Sequence, residues 1–324
     1  MNSVLLVMLL GFHPPAVSRK MTLDTGGRLL LIDLPTSARL ARDGSIVIAT
    51  AHQVWHFNED GSLMNRFGRN GQGPNEYQFI TSVLWDGSRY WVGDGNTLTT
   101  SEIDGRGDFV KKHSYYHYFL YRLGNETFAL NAGIRFQKKE RPAMIVPVDF
   151  RTGKASGRGF HQLSQEVVDL KYNFTDHFVE ADTRHFYVLD QLVPKVKVYD
   201  RGSQKQTAEI DLKLPGFVHA PHQFIKDPRK ISRRTWRTWW ASFSKFTGMA
   251  KLDSGFVVAY EVGDPDDEAE TQLALCKLDE AGRNPVSIQL PQAYFLGGAG
   301  NQAAVMSVKE QNHEVGNEVS FFQW

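Results

Sequence analysis

The stretch FGRNGQGPNEYQF, Phe67 to Phe79, sets three glycines and two asparagines between two apolar runs. Two structures use such a stretch. A phosphate-cradling loop follows a strand and opens a helix, and its P-loop form carries Lys followed by Ser or Thr. Here the run QFITSVLW follows, rich in β-branched and aromatic residues, and the stretch holds no Lys. The segment therefore reads as a corner joining the outer strand of one sheet to the inner strand of the next.

Outward from that corner the chain repeats itself. An apolar strand end, an aspartate and then a glycine recur in HFNEDG, SEIDG, PVDFRTG, KVYDRG and CKLDEAG, which close at Gly61, Gly105, Gly153, Gly202 and Gly282. The first four lie about 44 to 49 residues apart, the period of a four-stranded propeller blade, and the last interval adds an insertion to one period. A second phrase precedes each in the same register: RDGSIVIAT, WDGSRYWVGD, LGNETFALN, ADTRHFYVLD and LDSGFVVAYE. Each is a turn followed by a β-branched or aromatic run, the pattern of strands joined by hairpins. One repeat is thus a strand, a turn, two strands ending at Asp-x-Gly, and an outer strand.

Five blades follow from these phrases, and blade one begins near Ser37. The chain ends supply a sixth from AYFL, QAAVMSV and EVSFFQW, with RLLLIDL, residues 28–34, expected to pair beside the C-terminal strand and remove the exposed edge. The expected fold is an all-β, six-bladed β-propeller closed by an N-terminal strand, with one short helical insertion.

Composition agrees with a globular chain. Of 324 residues, 41% are hydrophobic and 23% charged, and 37 basic against 36 acidic side chains leave a net charge of +1. A near-neutral chain has no global field for nucleic acid, which is not expected as a partner. The single cysteine, Cys276, lies in the apolar run TQLALCKL, excludes an internal disulfide and reads as a small buried hydrophobe. At the N-terminus, Val4 to Phe12 is too short to span a bilayer and is followed by Pro14 and Pro15. Ala16 and Ser18 offer a cleavage site before Arg19, so residues 1–18 are expected to be a signal peptide, 19–324 the propeller, and the location periplasmic or extracellular. No transmembrane segment is expected.

FGRNGQGPNEYQF followed by DGSRYWVGDGNTLTTSEIDGRG resembles the NHL-type repeat: a Gly-x-x-Gly-x-Gly-x-x-Glu-aromatic corner, an aromatic-Val-x-Asp strand and a closing Asp-x-x-Gly. Gly68, Gly71, Gly73, Glu76, Tyr77, Val92, Asp94, Asn96, Asp104 and Gly107 occupy the matching positions. The likeness covers residues 67–107 well and FYVLDQLVPKVKVYD moderately. It implies a bacterial secreted six-bladed propeller, a group with many members of no known activity. Related propellers include zinc-dependent peptide-amidating lyases and calcium-dependent lactonases, whose complete ligand sets have no counterpart in this sequence.

By propeller topology, one rim collects the loops between blades and between second and third strands. It is expected to hold Arg69, Asn70, Glu76 and Arg135 as ligand-binding residues. Asp94, Asn96 and Asp190 are candidate metal ligands there, since carboxylate and amide oxygens suit calcium. The competing reading makes Asp94 and Asp190 hairpin caps. His219 and His222, in VHAPHQF, are spaced for zinc on a helix, but Pro221 lies between them.

The insertion, about residues 214–246, departs most from the repeat. Ser232 is expected to cap a helix beginning at Arg233, with Trp236, Trp239, Trp240 and Phe243 on one face at three-and-four spacing. Arg233, Trp236, Arg237, Trp239 and Trp240 are expected to border a ligand as a lid, against the plainer reading of a packed amphipathic helix. The functional expectation is a secreted propeller that binds a peptide, glycan or partner protein on its loop face. The alternative is a calcium- or zinc-assisted hydrolase or lyase at the mouth of the central channel.

Overall fold

The computed structural model describes residues 15–24, 32, 35–41, 43–113, 120–123, 126–130, 145–149, 154–155, 159–162, 177–220, 232–263, 272–291, 293–311 and 314–324. Among them lie six four-stranded antiparallel sheets. Sheet one comprises Ser37–Leu40, Ile46–Ala49, Val54–Phe57 and Leu63–Phe67. Sheet two comprises Ile80–Trp85, Arg89–Asp94, Thr99–Asp104 and Phe109–His113. Sheet three holds Leu120–Leu123, Glu126–Leu130, Ile145–Asp149 and Lys154–Ala155. Sheet four holds His177–Ala181, His185–Asp190, Lys195–Asp200 and Gln206–Asp211. Sheet five holds Lys245–Leu252, Gly255–Glu261, Gln272–Leu278 and Val286–Pro291. Sheet six is built from Ala293–Ala299, Gln302–Gln311 and Glu314–Gln323, with Ala16–Thr22 added at its outer edge.

The first strand of each sheet touches the first strand of the next, and that of sheet six returns to sheet one. This is a β-propeller arrangement. Burial follows it: the second strands of sheets one, two, four and five are almost wholly buried, whereas the fourth strands of sheets one and five alternate between half-buried and exposed. The apolar clusters lie between consecutive sheets. Ile46, Ile48 and Phe57 of sheet one meet Met306 and Phe321 of sheet six. Val47 and Phe67 meet Val83 and Tyr90 of sheet two. Leu189 and Val198 of sheet four meet Phe256 and Val258 of sheet five. Cys276 lies in that last cluster, and burial pushes its thiol up to about 12.

The repeated aspartates are turn caps. Between first and second strands, Asp43, Asp86 and Asp182 each accept the N–H two residues on, from Ser45, Ser88 and Arg184. Asp60, Asp104 and Asp279 do the same between third and fourth strands. This is the local hydrogen bonding that suits Asp to turns. The glycines beside them answer to a neighbour. Gly61 and Gly282 have φ of 90° and 72°, and a β-carbon on either would collide with the last strand of the preceding sheet, at Thr22 and Asp211. The repeat period is therefore also a packing period.

The N-terminal edge strand corrects one expectation. Ala16–Thr22 pairs with Glu314–Gln323, from Ala16 opposite Gln323 to Thr22 opposite Glu318. Residues 28–34 were expected in that role; of them only Ile32 lies within the described residues, buried, with its N–H donating to Asn317 Oδ1 at 2.5 Å. An apolar run suggests a strand, yet an outer edge needs little apolar surface. In AVSRKMT only Met21 is buried.

Candidate functional site

The glycine corner is a site closed on itself. Arg69–Asn70 pairs in parallel with Glu76–Tyr77. The Glu76 carboxylate accepts the N–H groups of Gln72 and Gly73 at 3.1 and 2.8 Å, and Arg69 Nε donates to it at 2.9 Å. The Gly73 N–H and then Arg69 hold this half-buried carboxyl below its ordinary range. The loop thus wraps an anion, as a phosphate loop does, but the anion is its own side chain. A β-carbon at Gly71, where φ is 153°, would strike that carboxylate. Asn70 is exposed, and Arg69 is engaged by Glu76.

Asp94 ends the second strand of sheet two, opposite Ile80. It is buried, and four main-chain N–H groups point at it: Gln78 at 2.8 Å, Asn96 at 3.0 Å, Thr97 at 3.2 Å and Phe79 at 3.3 Å. That coordination caps a turn and ties the corner to it. The Asn96 side chain is exposed.

Asp190 holds the same register place in sheet four, opposite His177, and its surroundings differ. His161 Nε2 lies 2.6 Å from Asp190 Oδ1, His177 Nε2 lies 3.0 Å from the same oxygen, and Lys197 Nζ is 3.2 Å from Oδ2. The other nitrogen of His161, Nδ1, is 2.9 Å from the Tyr199 hydroxyl. His161, His177 and Asp190 are each no more than 3% exposed. Burial pushes the His161 imidazole down, toward its neutral form. Burial alone would raise the Asp190 carboxyl, but the two imidazoles outweigh it and hold it well below the usual range. Lys197 Nζ lies against the other carboxylate oxygen. His161, His177 and Asp190 present three ligand atoms within 4.8 Å of one another. Asp94 belongs to no such three-residue group of His, Cys, Asp and Glu side chains among the described residues.

Sequence reasoning placed Asp190 correctly beside Asp94 in the repeat but missed its histidines. The signal was positional: His177 is the first residue of its strand, the place Ile80 fills in sheet two. Sheet five repeats the pattern with Lys245 opposite Glu261, their charges 3.4 Å apart. Lys245 is buried, donates to the carbonyls of Trp240 and Phe243 at 2.8 and 3.0 Å, and has its ammonium pushed down by burial.

The insertion forms the helix α1, Arg233–Ala241, capped as expected by Ser232, whose hydroxyl accepts from Thr235 N–H at 3.0 Å. Trp239 and Trp240 are half-buried and pack edgewise on the fully buried Phe243, with centroids 4.9 and 5.9 Å away. Arg237 is exposed. Arg233 and Trp236 lie in the helix, and Arg135 and His222 lie outside the described residues. Beside the root of the insertion is an open cleft of about 580 Å³, lined by Val193, Lys195, Leu212, Lys213, Leu214 and His219 among others. Trp239 and Trp240 do not line it. Among the described residues, no helix is long and apolar enough to cross a membrane.

Comparison of the sequence with protein-family models and with curated proteins finds no match, so the NHL-type resemblance gains no support there. Solved structures do match. A protein of Bacteroides fragilis provisionally described as exported superposes with a TM-score of 0.62 at 12% identity, covering 94% of each chain. A member of the duf4221 family from Bacteroides vulgatus gives 0.62 at 9% identity, over 95% of this chain and 97% of that one. A Bacteroides caccae protein of unknown function gives 0.50 at 11% identity, over 86% and 94%. At such identities the likeness is one of fold, and the fold this chain shares with these bacterial proteins is a β-propeller.

Proposed function

We propose that this chain is an exported, six-bladed β-propeller that binds a ligand in the cleft between sheets four and five. The six sheets with cyclic contact between their first strands support six blades, with the strand Ala16–Thr22 closing the ring, of which cleavage before Arg19 would leave Arg19 to Thr22. The apolar run before Pro14 and the likeness to a protein described as exported support export.

The observation that carries the binding reading is the cleft itself. It sets apolar Val193, Leu212 and Leu214 beside Lys195, Lys213 and His219, and it opens where the insertion leaves the repeat. Concave, largely apolar sites with a few polar groups are where ligands bind. Asp211 also lines the cleft and pairs with Lys195, which Glu209 holds at 2.8 Å, so Lys213 is the cation that suits a peptide, glycan or partner protein bearing a carboxylate. The alternative, a metal-assisted hydrolase or lyase using Asp94, Asn96 and Asp190 as one set, has less support because Asp94 is already occupied by four N–H groups and Asp190 lies two sheets away.

The test is a screen of acidic and neutral oligosaccharides and peptides against the full chain, read by hydrogen–deuterium exchange. Acidic members should protect residues 211–219, and Lys213→Glu should abolish that protection while leaving the melting temperature unchanged. Protection elsewhere, or none with any member, overturns the reading.

A further inference from the structure

We propose that His161, His177 and Asp190 form a binding site for a zinc-class divalent ion, buried within sheet four and apart from the cleft. Three observations carry the inference. Both imidazoles bring Nε2 close to one atom, Asp190 Oδ1, at 2.6 and 3.0 Å, and the rings stand nearly edge to face at 73° with centroids 4.9 Å apart. Two rings so disposed bring their nitrogens and one carboxylate oxygen around a common point.

The remaining polar atoms form the outer shell that metal ligands require. Metal-binding histidines characteristically hydrogen-bond through their other ring nitrogen, and ligating carboxylates are hydrogen-bonded in turn. Here His161 Nδ1 meets the Tyr199 hydroxyl, and Asp190 Oδ2 meets Lys197 Nζ. Each fixes its ligand's orientation and leaves the inward atom for the ion.

The third observation is how the ligands are delivered. His177 and Asp190 are opposite one another on adjacent strands, so their β-carbons lie about 5 Å apart. His161 arrives from the segment before the sheet and is held at φ of 63°, a backbone conformation that non-glycine residues adopt rarely. A strained backbone that aims a buried histidine at a carboxylate is a functional signal. Zinc sits about 2.0–2.2 Å from imidazole nitrogen and carboxylate oxygen, so its tetrahedral ligands lie about 3.4 Å apart, and to admit it Nε2 would move from Oδ1 by about 0.4 Å at His177 and about 0.8 Å at His161. Two imidazoles and one carboxylate suit zinc, copper, nickel or iron and not calcium, which sets this site apart from the oxygen-only set expected at Asp94, Asn96 and Asp190.

The experiment uses the full chain, stripped with chelator and returned to chelator-free buffer. Titration with Co²⁺ should give a visible d–d band saturating at one equivalent, displaced by Zn²⁺. His161→Gln and His177→Gln should each abolish it, whereas His219→Gln in the cleft should leave it intact. Because either variant could unfold, the wild-type chain supplies a second reading: Zn²⁺ should raise its melting temperature and equimolar Ca²⁺ should not. No Co²⁺ band and no zinc-dependent rise would overturn the site and leave a buried cluster of polar side chains. A band that survives both folded variants, or stabilisation by Ca²⁺ alone, would also overturn it.

Discussion

Asp94 and Asp190 end equivalent strands of sheets two and four, yet they do opposite work with the same carboxylate. Asp94 gathers four main-chain N–H groups, so its partners come with any backbone that makes the turn. Asp190 gathers His161, His177 and Lys197, so its partners must be encoded one by one. The first arrangement belongs to the scaffold, and the second is the one proposed to bind a metal ion. Sheet five, with Lys245 opposite Glu261, stands between them: an encoded charge pair whose lysine still serves the backbone at Trp240 and Phe243.

The largest effect should come from breaking the encoded corner. Asp190→Ala leaves Lys197 partly buried without its counter-charge, and removing one partner of a buried pair costs about 3–5 kcal/mol. Asp94→Ala orphans N–H groups at about 1–3 kcal/mol for each one that water cannot reach. Asn96 and Leu98 are exposed beside it, so water can reach part of this turn and the net loss expected there is smaller, about 2–3 kcal/mol. Urea unfolding of both variants gives the comparison. Adding Lys197→Met to Asp190→Ala should restore part of the loss, because it removes the stranded charge, whereas adding it to Asp94→Ala should not. Equal behaviour in the two backgrounds would break the distinction between the corners.

A third corner sharpens the role of the carboxylate. His56, fully buried in sheet one, has Nδ1 at 2.7 Å from the Tyr90 hydroxyl and Nε2 at 2.8 Å from Ser45 Oγ, with no carboxylate directly against it. Burial lowers its pKa to about 4 from the ordinary value of 6.5. Between those values the unfolded chain takes up a proton that the folded chain refuses, so stability is full above about pH 6.5 and falls as the pH is lowered toward 4. The upper bound is about 3 kcal/mol. Unfolding at pH 4.5 and pH 7 measures it, and His56→Gln should flatten the slope across that window. An unchanged slope would mean that another group carries it.

The insertion helix offers a smaller effect. A fully buried Trp truncated to Ala costs about 3–5 kcal/mol. Trp239 and Trp240 are only half-buried, so each should cost about 1–2 kcal/mol when replaced by Ala. Because neither lines the cleft, binding there should persist in both variants. Loss of binding with little loss of stability would restore the lid expectation that the sequence raised.

How much of this was legible in the sequence depends on how local each cause is. The Asp-x-Gly turns were legible because a capping aspartate and its acceptor geometry lie within a few residues, as at Asp60 and Ser62. The helix was legible for the same reason, through Ser232 and Thr235. The edge strand Ala16–Thr22 was not, because its pairing partner lies some 300 residues away and an outer strand carries almost no apolar pattern. Nor was the Asp190 cluster, although one of its members was identified. His161, His177 and Lys197 come from three segments, and only the register that sets His177 opposite Asp190 brings them together.

The smallest predicted effect tests the sequence expectation that grouped Asp94, Asn96 and Asp190 as one oxygen-rich metal set. Asn96 contributes its main-chain N–H to Asp94, and its side chain is exposed. Asn96→Ala keeps that N–H, so stability should change by no more than about 0.5 kcal/mol, the usual range for an exposed side chain away from special contacts. Cobalt uptake should match the wild type in both stoichiometry and band position, since the proposed ligands lie two sheets away. Were Asn96→Ala to weaken metal uptake while Asp190→Asn did not, the metal would belong to the sheet-two corner, and the roles assigned to the two aspartates would have to be exchanged.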